Sequence, residues 1–420
     1  MDLTDRAVGC LLGGALGDSF GYPVEFMSLE VIKSRNGGSI LSDPIPVRGM
    51  YRFSDDTQMT VLTAIGLVEG DGDRMGAVWK LYRRWAEFQS GREDHSSGDH
   101  WVFGYESMRG YRHPGKTCMS AIMANPFPCA IDAPFNDSKG CGGVMRISPV
   151  PIWCYANGAG SADSARLAAR IAASTHGHPL GYLTAGFLSS MIFHILDGKD
   201  LDASLSSART DCIECFGGAC LDEMLDLLDE AVRLSGSDLP DEAAMAKLGE
   251  GWVAEETLAM AVFSCLRHPD DIHAALACAV NITGDSDSVG AVAGNILGVS
   301  LGAESVKSAF DCDVLEDSGM IEKVAGMLVD GHRRQRSRSR GGLSPPYPHS
   351  VCIPIFRRLQ SVPAVLAYGE GVQAGVPAAH RTLHGRSRCG GYLTDSDGWP
   401  KMNPQGKTAV LARCPLVFQA

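Results

Sequence analysis

Two short stretches hold the residues best suited to chemistry. Residues 54–57 read SDDT and residues 284–288 read GDSDS. Each supplies two carboxylates and a hydroxyl just before a deeply apolar run, TQMTVLTAIGLVE at 57–69 and VGAVAGNILG at 289–298. Taken singly, each is a helix start. Ser54 caps, Asp55 and Asp56 fill a first turn favoured by the positive end of the macrodipole, and Ser288 or Asp287 caps the second helix. Taken together they say more. Four carboxylates, Asp55, Asp56, Asp285 and Asp287, gathered inside a core repel one another unless cations neutralise them. An all-oxygen donor set selects Mg²⁺, Mn²⁺ or Ca²⁺ over zinc. Two such ions about 3.5–4 Å apart would orient a substrate and a water together, which is hydrolase chemistry. An EF-hand is excluded, because Val289 and Ile296 occupy the fifth and twelfth loop positions, where ligands are required.

Other stretches fit around this centre, each with a structural alternative. GGALGDSFGYPVEF places Asp18 and Glu25 after the first helix, and Glu25 is either a general base or a solvent-facing acid. SKGCGGVMRISPV at 138–150 is a glycine-rich turn that could bring backbone close to a ligand, with Arg146 free for a phosphate. It is equally a tight interhelical turn in which Arg146 pairs an acid. STHGHPLG offers His176 and His178 as catalytic or as structural histidines. Gly110–Thr117, GYRHPGKT, satisfies the nucleotide-binding pattern GxxxxGK[ST], which would make the chain an NTPase. That motif needs a buried strand before it, and HWVFGYESMR lacks a β-branched run. CIEC at 212–215, with Cys220 nearby, lacks the second cysteine pair of a zinc cluster.

The elements that must position these residues read as helices. DRAVGCLLGGALGDSFG carries small residues at Gly9, Gly13 and Gly17, and Gly290, Gly294 and Gly298 form a matching stripe that allows close packing. SADSARLAARIAASTHGHPLGYLTAGFLSSMIFHILDG reads as two helices broken near His176–Pro179. CLDEMLDLLDEAVRL, WVAEETLAMAVFSCLRH and DDIHAALACAVNI continue the helical period, and alternating β-branched runs are scarce. The expected fold class is all-α, a multi-helical bundle with a central binuclear metal site and an irregular C-terminal tail.

Composition agrees. The 420 residues are 45% hydrophobic and 20% charged, which fits a globular chain with a sizeable core. The net charge of -12 hides an asymmetry: residues 333–420 hold 13 Lys+Arg against 3 Asp+Glu, leaving 24 against 46, or -22, in residues 1–332. An acidic body repels nucleic acid and suits cations. The break comes at DGHRRQRSRSRGGLSPPYPHS, a basic Gly/Ser/Pro-rich linker, so 1–332 is expected as the catalytic domain and 333–420 as linker and tail. HRTLHGRSRCGG in the tail lacks partner ligands for a metal site, and no aromatic-interleaved nucleic-acid motif appears. No apolar run reads as a membrane span, and no secretory signal is expected at the start. Fourteen scattered cysteines fit reduced thiols, so the expected location is cytoplasmic.

The pieces GALGDSFGYPVEF, SDDT, KGCGGVMRISPV, THGHP, GWVAEETLAMAV and GDSDSVGAVAGNILG, in this order, resemble the ADP-ribosylglycohydrolase family across roughly residues 5–330. The resemblance implies two Mg²⁺ ions, or Mn²⁺, held by Ser54, Asp55, Asp56, Asp285, Asp287 and Ser288. It implies Glu25 beside the metals, with Glu25 or Asp56 as the base. It also implies an ADP-ribose cleft lined by Gly140, Cys141, Gly142, Gly143, Met145 and Arg146, with His176 nearby. The family often has Thr where this chain has Ser54 and Ser288, and some members have Asn at Cys141. The implied reaction is cleavage of the glycosidic bond joining ADP-ribose to a protein side chain or small molecule. A catalytically silent ADP-ribose-binding relative is the alternative.

Overall fold

The computed structural model describes residues 1–91 and 100–339, the side chains of Ala219 and of 331–339 excepted. The linker expected from 330 and the tail expected from 333 are described only to 339, where their first residues continue the last helix, Ser318–Ser339, instead of breaking it; the rest, with the HRTLHGRSRCGG stretch, lies outside the described residues. Sixteen α-helices follow one another among the described residues. The first eight are α1 Leu3–Gly21, α2 Leu29–Arg35, α3 Asp55–Glu69, α4 Arg74–Gln89, α5 Glu106–Arg109, α6 Lys116–Ala124, α7 Pro149–Ala156 and α8 Ser161–Ala173. The second eight are α9 Pro179–Leu196, α10 Leu201–Cys215, α11 Ala219–Ser235, α12 Asp241–Leu248, α13 Ala254–Arg267, α14 Ile272–Val280, α15 Ser286–Ala309 and α16 Ser318–Ser339. Among the described residues only isolated bridge pairs, such as Gly140 with Val253, represent extended pairing. The fold is all-α.

Helices α1 and α15 form the axis. Their glycine stripes face each other in antiparallel register, so that backbone meets backbone. A β-carbon at Gly17 would lie 1.9 Å from the Gly290 carbonyl oxygen, one at Gly294 2.0 Å from that of Gly13, and one at Gly298 2.0 Å from that of Gly9. No side chain larger than hydrogen fits there. Gly302, with φ of +83°, bends α15 where the pairing ends. Around this axis α3, α7, α13, α14 and α16 bury Met59, Leu62, Ile65, Phe263, Leu276 and Val324 completely.

The expectation that no apolar run is long enough to span a membrane needs correction. By length and composition, Pro179–Leu196 and Ser286–Ala309 both qualify, and 78% of each apolar window is buried inside the protein. They are core helices, apolar on every side because neighbours surround them. The break between α8 and α9 falls at 174–178, as the sequence suggests. The nucleotide-binding pattern at Gly110–Thr117 has no strand before it. The four-residue α5 precedes it, and no sheet exists among the described residues to present such a loop.

Gly294→Val should break the axis, because the added methyls meet the Gly13 backbone, which cannot move aside. Urea unfolding should show a loss of at least about 3 kcal/mol. Gly319→Ala, where nothing lies within 4 Å of the added carbon, should leave the midpoint unchanged.

Candidate metal centre

The antiparallel axis sets the end of α1 against the start of α15, and α3 is joined there by a carboxylate. Asp18, fully buried near the end of α1, accepts from the Ser54 backbone N–H at 2.8 Å and from the Thr57 N–H at 3.0 Å and hydroxyl at 2.5 Å. It thus serves the start of α3 from another helix. Ser54 is the N-cap, its Oγ accepting from Asp56 N at 3.1 Å. The chain ahead of α3 is pinned from the far side: Glu316 accepts from Phe53 N at 2.9 Å and from Arg112 at 2.8 Å.

On α15 the N-cap is Asp285, two residues before Asp287 and three before Ser288, the residues expected to cap it. Its Oδ1 accepts from Ser288 N at 3.3 Å. Asp287 Oδ1 also accepts from Ser288 N, at 3.0 Å. The Ser288 hydroxyl then crosses to α3, donating to Asp56 Oδ2 at 2.8 Å. The loop before α15 is fixed by Asp285 N donating to the Glu250 carbonyl at 2.8 Å. Gly284, with φ of +136°, sits where a β-carbon would come within 1.9 Å of that same carbonyl oxygen.

Glu25 arrives from the turn after α1. It is half-buried, and one of its carboxylate oxygens lies within 4.8 Å of carboxylate oxygens of both Asp285 and Asp287. The turn is held by Phe26 N donating to Gly284 O at 3.3 Å and by Phe26 stacking on Trp252 at 5.0 Å. Ser54, Asp55, Asp56, Asp285, Asp287 and Ser288 are all buried, and with Glu25 they form one cage.

Burial pushes every one of these carboxyls up. Asp55, Asp56, Asp287 and Glu25 lie well above the usual carboxylate range, first from desolvation and then from their neighbours' charge. Asp285 is raised less, because hydrogen bonds from Asp287, Cys141 and Ser288 support it. Asp18 is pushed to about 7 by burial and by Asp287. Among the described residues no lysine or arginine pairs with any carboxylate of the cage. A divalent cation is the charge this donor set fits: five carboxylates and two hydroxyls, all hard oxygen.

The glycine-rich turn borders the cage. Cys141–Gly143 form one turn of 3-10 helix, and Cys141 Sγ donates to Asp285 Oδ2 at 2.8 Å. The turn is strapped to the start of α13 by Cys141 N to Trp252 O and by Lys139 bonding Glu255. Gly142 leaves room for His176, whose Cε1 would sit 3.0 Å from a β-carbon there. Gly140 and Cys141 are half-buried, whereas Gly142, Gly143 and Met145 are buried. Met145 packs its sulfur 4.0 Å from the Ser288 hydroxyl.

Two expected ligand contacts lie elsewhere. Arg146 is not free for a phosphate: it has no exposed surface, donates to Thr175 Oγ1 at 2.6 Å and Ile171 O at 3.2 Å, and lies over the Tyr82 ring. Nor does it pair an acid. His176 is 1% exposed, bonds Thr175 Oγ1 at 2.8 Å, and is pushed down to about 3 by burial and then by Arg146. It supports the turn from below as a neutral ring. His178 caps α9 by accepting from Leu180 N at 3.1 Å. Asp18 and Thr57 are contributors to which sequence reasoning assigned no role. The signal was an aspartate inside a run of otherwise small and apolar helix residues.

Comparison with known proteins agrees with this geometry. The sequence model of the ADP-ribosylglycohydrolase family matches residues 1–338. The chain belongs to the ADP-ribosylglycohydrolase family. It is 25% identical over 377 residues to ADP-ribosylhydrolase ARH3 of Gallus gallus, covering 79% of this chain and 94% of that one. It is 22% identical over 315 residues to the ADP-ribosyl-[dinitrogen reductase] glycohydrolase of Rhodospirillum rubrum, covering 73% and 89% respectively. A solved ADP-ribosylglycohydrolase-related protein complex shares the fold, with a TM-score of 0.53 over 79% of this chain and 99% of that chain, at 22% identity.

The raised carboxyls fix the sign of a pH effect. Between the unfolded value, 3.8 for Asp18, and its folded value of about 7, the native state holds more protons than the unfolded one, so stability falls as pH rises through that window. Thermal unfolding in chelator should therefore show Tm dropping from pH 5 to pH 8. Mg²⁺ should restore Tm more at pH 8 than at pH 5. A flat profile with no response to Mg²⁺ would count against the cage.

Proposed function

We propose that this member of the family is a metal-dependent hydrolase that releases ADP-ribose from a modified protein side chain or a small-molecule conjugate, with residues 1–332 as its catalytic unit. One observation carries the reading: the four aspartates, Glu25 and two serine hydroxyls meet in one cage that no basic side chain among the described residues neutralises. Two Mg²⁺ ions, or Mn²⁺, are the proposed occupants, held by Ser54, Asp55, Asp56, Asp285, Asp287 and Ser288. Once bound, such ions would neutralise the cage and supply electrophilic assistance at the ribose hydroxyls.

The chain's own residues do the rest. Asp56 and Ser288 tie the two halves of the cage through their 2.8 Å bond, so substrate meets a preset geometry. Glu25, on the turn that leaves the cage, is placed to accept a proton from an attacking water, and Asp56 is the second candidate. As the glycosidic bond loosens, positive charge develops on the sugar, and the carboxylate wall favours it. Backbone at Gly140 and Cys141 forms the accessible rim, where a pyrophosphate or ribose can approach without meeting a side chain from glycine. Arg146 and His176, spent inside the core, take the supporting role of holding that rim.

Purified protein should be offered arginine-linked, serine-linked and O-acetyl ADP-ribose, with Mg²⁺ or with chelator, and free ADP-ribose measured by chromatography. Release that stops in chelator supports the proposal. Asp56→Asn and Asp287→Asn should each lower kcat/KM by at least about 10³-fold with circular dichroism unchanged. ADP-ribose binding by calorimetry with no release from any conjugate would favour the silent relative.

A further inference from the structure

A second cluster of ligating side chains stands apart from the cage, where α12, α13 and α14 meet. Asp241 is the first residue of α12, His268 follows the last residue of α13, and Cys278 lies within α14. One carboxylate oxygen, one imidazole nitrogen and the thiol sulfur all lie within 4.8 Å of one another. His268 Nε2 is 3.0 Å from Asp241 Oδ2, a hydrogen bond that holds the two side chains together. Cys278 is buried, while the side chains of Asp241 and His268 are 32% and 27% exposed, so the cluster has a closed floor and an open side.

The outer contacts are those a metal site uses. Arg267 Nε donates to Asp241 Oδ1 at 2.9 Å, which turns Oδ2 towards His268. The same guanidinium is locked by the carbonyls of Ser235 at 3.0 Å, Ser237 at 2.7 Å and Leu239 at 2.8 Å. Ser264 Oγ lies 3.6 Å from Cys278 Sγ, with its proton given to the Met260 carbonyl at 2.9 Å. The carboxylate therefore carries an orienting donor.

We propose that Asp241, His268 and Cys278 form a zinc-type site, separate from the catalytic cage and independent of the function proposed for it. The mixed oxygen, nitrogen and sulfur set excludes Mg²⁺ and Ca²⁺ and suits a borderline-soft ion in tetrahedral geometry, the fourth position going to solvent from the open side. Binding forms a metal–sulfur bond and releases the thiol proton to water. Zinc, thiolate and aspartate together are neutral where the metal-free site holds the single negative charge of Asp241, so binding adds one positive charge beside Arg267 while leaving its bond to Asp241 Oδ1 in place. The bound ion would tie three helices at one vertex. Because α14 leads directly into the loop carrying Asp285, that vertex also steadies one wall of the cage. Without metal the same residues still form the Asp241 pairs with Arg267 and His268, so the fold does not depend on the ion.

The test uses the full chain in saturating Mg²⁺, which occupies the hard-ligand cage. Equilibrium dialysis against zinc should show one tightly bound equivalent. Asp241→Asn, His268→Gln and Cys278→Ser should each weaken it by at least about tenfold. Cobalt in place of zinc should give a sulfur-to-metal charge-transfer band that is lost in Cys278→Ser and kept in Cys141→Ser, the thiol beside the cage. No bound zinc, or binding that all three substitutions leave unchanged, would overturn the proposal. So would a cobalt band that vanishes with Cys141 instead. Circular dichroism identifies any variant that fails to fold, and Cys278→Ala then replaces Cys278→Ser as the sulfur-free variant.

Discussion

The fold depends on a close approach between two backbones. Helices α1 and α15 touch along Gly9, Gly13 and Gly17 on one side and Gly290, Gly294 and Gly298 on the other. Side chains packed against side chains tolerate small slips, because rotamers adjust. Carbonyl packed against a glycine α-carbon does not, since any shift of one residue would drive Leu12, Leu16 or Val289 into the opposing main chain. The register is therefore fixed without help from the charged residues. It brings the end of α1, with Asp18 and the turn to Glu25, against the start of α15, with Asp285 and Asp287. Asp18 then recruits α3, and with it Asp55 and Asp56.

That order of causation matters because the acids do not attract one another. Each carboxyl of the cage is held against desolvation and against its neighbours' charge. The scaffold must supply what offsets this. Some comes from the positive ends of α3 and α15, which both start in the cage. Some comes from the hydroxyls of Ser54 and Ser288 and the N–H of Gly115, which donate only where a carboxylate faces them. The remainder is available to a cation. The one strong positive charge beneath the glycine turn, on Arg146, is turned away to Thr175, Ile171 and Tyr82, so it does not compete for that place.

Much of this was legible in the residues themselves. Apolar period, glycine stripes and the absence of alternating runs gave the all-α class, and the helix breaks fell where proline and capping residues stood. The pairing of SDDT with GDSDS was legible because two stretches, each sufficient alone as a helix start, together set four carboxylates before core helices. What escaped was direction. A fixed spacing cannot say that Arg146 and His176, three and two residues from the ends of polar turns, point down into the core instead of up to the rim. Nor can it say that Asp285 caps α15 while Asp287 and Ser288 serve the cage, because that depends on where the Glu250 carbonyl holds the loop. The apolar completeness of α9 and α15 was likewise underestimated, since burial on every side writes the same composition as a lipid-facing span.

Hydrogen-bond saturation separates the carboxylates by task. Asp18 accepts three bonds, from two backbone N–H groups and the Thr57 hydroxyl, and both of its oxygens are used. An ion at Asp18 would have to displace donors that hold the start of α3, so it is a positioning residue. Asp56 receives one short bond on Oδ2, and Asp55 a long one from Gly115 N at 3.4 Å besides that of its own backbone N–H. Their remaining lone pairs have no protein donor of comparable strength, and in a buried site an unfilled carboxylate oxygen is costly. Asp285 is the intermediate case, its Oδ2 already met by the Cys141 thiol at 2.8 Å. A thiol is a weak donor and yields to a cation more readily than an amide does. The carboxylates least satisfied by protein are therefore those that face into the cage, and the one that is fully satisfied builds it.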